Sequence, residues 1–170
     1  MIYLITGGAR SGKSSYAQNL AKSLTDFPLY LATSNEKDDE EFQARVNRHK
    51  KDRGEEWDLL EVPLRISEVE TDRSVILVDC VTLWLNNFFS KHQYDSEISL
   101  GSAKQELNQI QKSKTWIFVT NEIGLGLHAD SEIGRAFVDL HGWMNQHIAE
   151  QADEVTMMVS GIPLKLKPVE

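Results

Sequence analysis

Cysteine is nearly absent. Cys80 is the only one in 170 residues, so no disulfide can close within the chain, and the lone thiol fits a reducing, cytoplasmic setting. A small buried apolar role is expected for it rather than that of a nucleophile. Cations are also scarce. Eighteen Lys and Arg against 26 Asp and Glu give a formal charge of −8, the wrong sign for broad nucleic-acid binding, and no nucleic-acid partner is expected. No apolar run approaches the length of a membrane span. No basic region precedes the apolar N-terminal stretch, so no signal peptide is expected. Repeats and low-complexity tracts are missing too. What remains, 41% hydrophobic and 26% charged, is the composition of a soluble globular chain, with the length of one domain over residues 1–170.

The first fifteen residues carry the main signal. Met1 to Thr6 suits a buried strand and runs into Gly7-Gly8-Ala9-Arg10-Ser11-Gly12-Lys13-Ser14, which fits G-x-x-x-x-G-K-[ST]. Ser15 to Leu24 follows as an amphipathic helix, with Tyr16, Leu20 and Leu24 one turn apart beside Ala17 and Ala21. Strand, glycine loop and helix in that order form a phosphate-binding loop (P-loop) rather than a chance match. Gly7 and Gly12 permit the backbone angles that turn successive N–H groups into a concave nest. The helix beginning near Lys13 adds its free N–H groups and positive dipole end. Lys13 places a compact charge on the β- and γ-phosphates, and the Ser14 hydroxyl is a candidate Mg²⁺ ligand.

Strands and helices then alternate. Leu29 to Ala32 reads as a strand ending in Thr33-Ser34. Glu36 to Arg53 reads as a very polar helix, acidic first and basic last, which suits a helix dipole. Leu59 to Pro63 is a possible short strand and Arg65 to Arg73 a short helix. Val75 to Val78 is a buried parallel strand that stops at Asp79, placed to hold Mg²⁺ beside the loop. Thr82 to Phe89 is helical with more apolar surface than one face needs, so part of it is expected to meet another subunit. Ser90 to Glu97 reads as loose and Ile98 to Lys112 as helix. Trp116 to Val119 is a strand ending in Thr120-Asn121-Glu122, Ile123 to Ser131 a loop, and Ile133 to about Glu150 a long amphipathic helix. Val155 to Val159 is a last strand, followed by a turn at Ser160 to Pro163 and a short tail. The alternation predicts an α/β fold, a mainly parallel sheet with helices on both faces. Right-handed crossovers bring the P-loop, Thr33, Ser34, Asp79, Asn121, Glu122 and Ser160 to one edge.

Three classes compete for the chemistry. A switch GTPase is disfavoured, because Thr120-Asn121-Glu122-Ile123 stands where Asn-Lys-x-Asp would read guanine. An ATP-driven machine acting within an assembly needs a partner on which the sequence is silent. A small-molecule kinase fits the size. Arg45 to Arg53 adds His49 among several cations. Such a residue is usually a solvated side chain, yet the same grouping can hold a triphosphate while a neutral imidazole attacks phosphorus.

Several blocks, in order along the whole chain, resemble one family: Gly7 to Ser14; Arg45, His49-Lys50, Arg53, Trp57 and Glu61-Val62-Pro63; Asp79 to Trp84; Asn121-Glu122-Ile123-Gly124; and Val159 to Pro163. They look like the bifunctional adenosylcobinamide kinase / adenosylcobinamide-phosphate guanylyltransferases of cobalamin biosynthesis. The resemblance implies a recombinase-like P-loop three-layer sandwich and homotrimers. It implies phosphorylation of adenosylcobinamide by ATP or GTP, then transfer of GMP from GTP to that phosphate through a guanylylated histidine, here His49. It places nucleotide contacts on Gly7, Gly8, Ala9, Arg10, Ser11, Gly12, Lys13 and Ser14, on Ala32, Thr33 and Ser34, on Lys50, Lys51, Asp52 and Arg53, and on Glu61 and Asp79. Departures occur at Asp79, where some members have Glu, at Ala129, where Pro is expected, and at Leu60, often Thr. A kinase that keeps the loop without using His49 is the alternative.

Overall fold

The structure, a computed structural model, describes residues 1–34, 57–126 and 128–168. The polar stretch Glu36 to Arg53 expected as a helix, and with it His49, Lys50, Lys51, Asp52 and Arg53, lies outside the described residues. The parallel strands are β1 (Ile2–Gly7), β2 (Leu29–Ala32), β3 (Asp58–Glu61), β4 (Val75–Asp79), β5 (Thr115–Val119) and β6 (Glu154–Val159). A seventh, β7 (Ile162–Lys167), returns antiparallel to β6, and the sheet order is β3-β2-β4-β5-β1-β6-β7. The helices are α1 (Lys13–Leu24), α2 (Val81–Lys91), α3 (Ser96–Gln109) and α4 (Glu132–Gln151).

Alternate residues of each strand go to opposite faces, and each face builds its own core. Leu4, Ile76, Val78, Trp116 and Phe118 meet Trp84, Leu85 and Phe89 of α2, Ala103 and Leu107 of α3, and Leu140, Met144 and Ile148 of α4. On the other face Tyr3, Ile5, Tyr30, Leu77, Ile117 and Val119 meet α1. Three layers result, with one described helix on one side and three on the other. No helix among the described residues is long and apolar enough to cross a membrane.

Several local expectations change. The contact line of α1 is Ala17 and Ala21, both fully buried, while Leu24 is exposed; small side chains let the helix sit close to the sheet. Arg65 to Arg73 forms one 3-10 turn, Ile66–Glu68, and then irregular chain, because only Ile66 and Val69 have apolar surface to bury there. The segment after α2 is short: Gln93 and Tyr94 turn in the left-handed region, and the Asp95 carboxylate caps α3 by accepting from Ile98 N–H at 2.9 Å. Trp84 and Phe88, expected at a subunit contact, are buried within the chain, with the Trp84 indole N–H donating to Leu64 O at 2.7 Å. The expected tail is β7. A two-residue turn makes the hairpin, with positive φ at Ser160 (52°) and Gly161 (82°), the pairing a type I′ turn needs.

Candidate nucleotide site

All six parallel strands end at one rim, and the expected site residues among those described lie on it. The register aligns Glu61, Ala32, Asp79, Val119 and Ile5 across β3, β2, β4, β5 and β1, so Glu61 and Asp79 flank Ala32. Thr33 follows Ala32 and ties β2 to β4. Its hydroxyl donates to Cys80 O at 2.7 Å and accepts from Cys80 N–H at 2.9 Å. The Asn87 amide of α2 clamps the same place, donating to Thr33 O and Pro63 O at 2.8 and 2.9 Å. Ser34 is buried beyond it, and Glu61 stands exposed at the end of the edge strand.

The loop from Gly7 to Ser14 is fixed from two sides. Gly7 has φ of 145°, and a Cβ there would meet Met158 O of β6 at 2.4 Å, so only glycine lets the loop leave β1 this close to its neighbour. Gly12 has φ of 94° and opens α1. The Gly161 N–H at the hairpin turn donates to Ser11 O at 2.9 Å, so β6–β7 braces the loop. Lys13 Nζ folds back onto Gly8 O at 2.6 Å, which holds the cation over the loop. Gly8, Ala9 and Arg10 are exposed, and the buried Ser11 hydroxyl has no hydrogen-bond partner among the described residues.

Charge at this rim is arranged for an anion. Burial pulls the Lys13 pKa down, and the Asp79 carboxylate pulls it back up. Asp79 accepts from the Tyr30 hydroxyl at 2.8 Å, which aims it toward the α1 side, the side of Lys13. Cys80 packs into that face, and burial followed by the charge of Asp79 pushes its thiol up to about 12. It stays protonated at neutral pH, as its expected apolar role requires.

A second set of polar groups lies on the opposite face of the same rim. Glu122 Oε1 accepts from the Thr6 hydroxyl and from Asn145 Nδ2. Asn145 Nδ2 also donates to Asn121 O at 3.0 Å, and its Oδ1 accepts from Thr120 at 2.7 Å. Asn121 Nδ2 donates to Thr82 Oγ1, which lies 2.9 Å from His141 Nε2. Burial holds His141 neutral, its pKa lowered to about 4. Asn121 and Glu122 were legible as rim residues without a role. His141 and Asn145 were missed, though Phe137, His141 and Asn145 fall one turn apart, and polar residues on an apolar helix stripe were the available signal.

A phosphate loop between β1 and α1, braced by β6–β7 and faced by an acid two strands away, defines a P-loop nucleotide-binding α/β protein. One solved structure, the flagellar accessory protein FlaH of Methanocaldococcus jannaschii, shares this fold with a TM-score of 0.50 and 16% identity, covering 98% of this chain and 77% of its own. Residues 3–166 match the model of the cobinamide kinase / cobinamide phosphate guanyltransferase family, and the chain belongs to that family. It is 39% identical to the bifunctional adenosylcobalamin biosynthesis protein CobP of Pseudomonas aeruginosa, with 96% of each chain covered. It is 36% identical to its counterpart CobU of Escherichia coli and 34% identical to CobU of Salmonella typhimurium, each covering 98% of this chain and the whole relative.

Proposed function

We propose that this chain carries both activities of its family: it phosphorylates the hydroxyl of adenosylcobinamide with ATP or GTP and then transfers GMP from GTP to that phosphate, in cobalamin biosynthesis. The observation that carries the reading is the braced loop, with Lys13 over it and Asp79 alongside. Gly7, Gly8, Ala9, Arg10, Ser11, Gly12, Lys13 and Ser14 cradle the phosphates, and Ala32, Thr33, Ser34, Glu61 and Asp79 line the approach on the β2–β4 side. The buried, unpartnered Ser11 hydroxyl is a donor suited to a phosphate oxygen. An oxygen-only pair, the Ser14 hydroxyl and the Asp79 carboxylate, fits Mg²⁺, which supplies charge neutralisation at the phosphates when bound. Lys13 orients the leaving diphosphate in the first reaction and the leaving pyrophosphate in the second.

His49 is the proposed nucleophile of the second reaction. Its neutral imidazole attacks the α-phosphorus of GTP, the bond to the pyrophosphate oxygen breaks, and a phosphoramidate to GMP forms. The phosphate of adenosylcobinamide phosphate then displaces the imidazole. Lys50, Lys51 and Arg53 neutralise the α-phosphate oxygens, and Asp52 belongs to the same nucleotide-binding segment. With GTP labelled at the α-phosphate, the wild-type chain is expected to acquire an acid-labile, base-stable label, and His49→Ala none; label that persists in His49→Ala refutes the assignment.

The working unit is a homotrimer in a cytoplasmic setting. Support comes from edge strand β7, where Ile162, Leu164 and Leu166 are exposed on one face of the sheet and in need of cover. Leu164→Lys is expected to shift sedimentation from trimer toward monomer; an unchanged profile removes β7 from the contact.

A further inference from the structure

Three carboxylates stand at the rim, and the nucleotide reading employs Glu61 and Asp79. Glu122 is built differently. Its main-chain N–H donates to Gly7 O at 3.2 Å, so its carboxylate rises beside the first glycine of the loop. It follows β5, which lies between the strand of the loop and the strand of Asp79. The Glu122 carboxylate therefore stands at the rim beside the start of the loop, on the face opposite Lys13.

The carboxylate is half anchored and half open. Oε1 accepts from the Thr6 hydroxyl and from Asn145, whereas Oε2 has no hydrogen-bond partner among the described residues, and the side chain is only half-buried. No cation among the described residues pairs with it. The groups that face it are the Thr6 hydroxyl on β1 and the Asn145 amide on α4, with neutral His141 two links further back through Thr120 and Thr82; Lys13 and Asp79 belong to the other face of the rim. A buried network of Thr120, Asn145, Asn121, Thr82 and His141 thus ends on one orientated carboxylate whose free oxygen is open to the rim. Just downstream, Gly124, Gly126, His128, Arg135 and Asp139 line a cavity of about 230 Å³ on the same side, room for part of an acceptor.

We propose that Glu122 is the proton acceptor of the kinase step. The acceptor hydroxyl oxygen bonds to the γ-phosphorus and the bond from that phosphorus to the β–γ bridging oxygen breaks. The nucleoside diphosphate leaves with the electron pair, and the hydroxyl proton passes to Glu122 Oε2 and then to solvent. Thr6 and Asn145 are positioning residues: they hold Oε1, which keeps Oε2 aimed. The inference rests on the phosphoryl-transfer half of the function above and leaves guanylyl transfer untouched.

The test is Glu122→Gln in the full chain, assayed for phosphorylation of adenosylcobinamide by ATP and, separately, for covalent labelling by GTP labelled at the α-phosphate. The kinase kcat is expected to fall ~10²–10⁴-fold. The KM for ATP should change by less than about threefold, and the acidic limb of the kinase pH profile should vanish. Guanylylation should proceed at the wild-type rate. In Thr6→Val, which removes one hydrogen bond to Oε1 and loosens the aim of Oε2, the kinase kcat should fall ~10-fold while the KM for ATP holds. A kcat near wild type in Glu122→Gln, a limb that survives there, an unchanged kcat in Thr6→Val, or labelling that falls in parallel with the kinase would each overturn the proposal. Failure of the wild-type chain to phosphorylate adenosylcobinamide at all would instead strike the functional reading beneath it.

Discussion

The two faces of the sheet are built to different plans. The face under α2, α3 and α4 is thick and mostly apolar, filled by Trp84, Phe89, Trp116 and Phe118, and its buried polar side chains, from the rim cluster to Glu106 on α3, are hydrogen-bonded. The face under α1 is thin. Two alanines make the helix contact, and the strands contribute Tyr3 and Tyr30 where those of the other face contribute Trp116 and Phe118. The hydroxyl of Tyr30 is spent on Asp79. Stability is therefore concentrated on one side and anion handling on the other, and a single sheet transmits the position of one to the other. The difference teaches where substitutions should hurt: folding in the core of the thick face, phosphate binding on the thin one.

A crossed pair of substitutions would break or confirm that division. Trp84 is fully buried and its indole N–H is bonded to Leu64 O. Trp84→Ala should cost about 3–5 kcal/mol of stability, read by urea unfolding, while the folded fraction keeps its affinity for nucleotide. Lys13→Ala should do the reverse. Phosphoryl transfer is expected to fall ~10²–10³-fold, because the charge on the outer phosphates is lost where it is needed in the transition state. The midpoint of unfolding should hold or rise, since the substitution removes a buried cation already depressed by desolvation. Equal losses of stability in the two variants would erase the distinction between the faces.

The fold was legible because its strongest signals are local. Apolar runs such as Val75 to Val78 and Trp116 to Val119 end in polar residues, and each became a buried parallel strand with its acid, hydroxyl or amide at the rim. The P-loop was legible for the same reason: glycines at two positions of positive φ leave a pattern in sequence. What escaped depends on contacts distant in sequence. Ile162, Leu164 and Leu166 alternate as a strand would, yet Pro163 and the short length hid β7, which exists because β6 offers it an edge. Trp84 and Phe88 looked like surplus surface because nothing local says that Leu64, Ala103 and Met144 will close over α2. The network behind Glu122 joins β1, β5, α2 and α4, with partners up to 116 residues apart, beyond the reach of any periodicity.

That network supplies the smallest and most selective test of the comparison, since it sets a cluster of polar side chains on a mostly apolar face. His141 is neutral in the folded chain with its pKa lowered from 6.5 to about 4, and it regains the ordinary value when the chain unfolds. The unfolded state therefore binds the extra proton first as pH falls. Stability is full above about pH 6.5 and declines between there and about pH 4, by about 1.4 kcal/mol per pH unit at most. The total contributed by this one side chain is about 3 kcal/mol at its upper bound. The expected signature is a difference: His141→Gln should be less stable than wild type at pH 7.5 yet lose less on acidification, because its amide cannot be protonated in this range. Unfolding midpoints in urea at pH 7.5, 6 and 5 for the two proteins measure it. If the gap between them stays constant with pH, His141 is not the neutral link assigned to it, and the polar cluster is held by Asn145 and the three threonines alone.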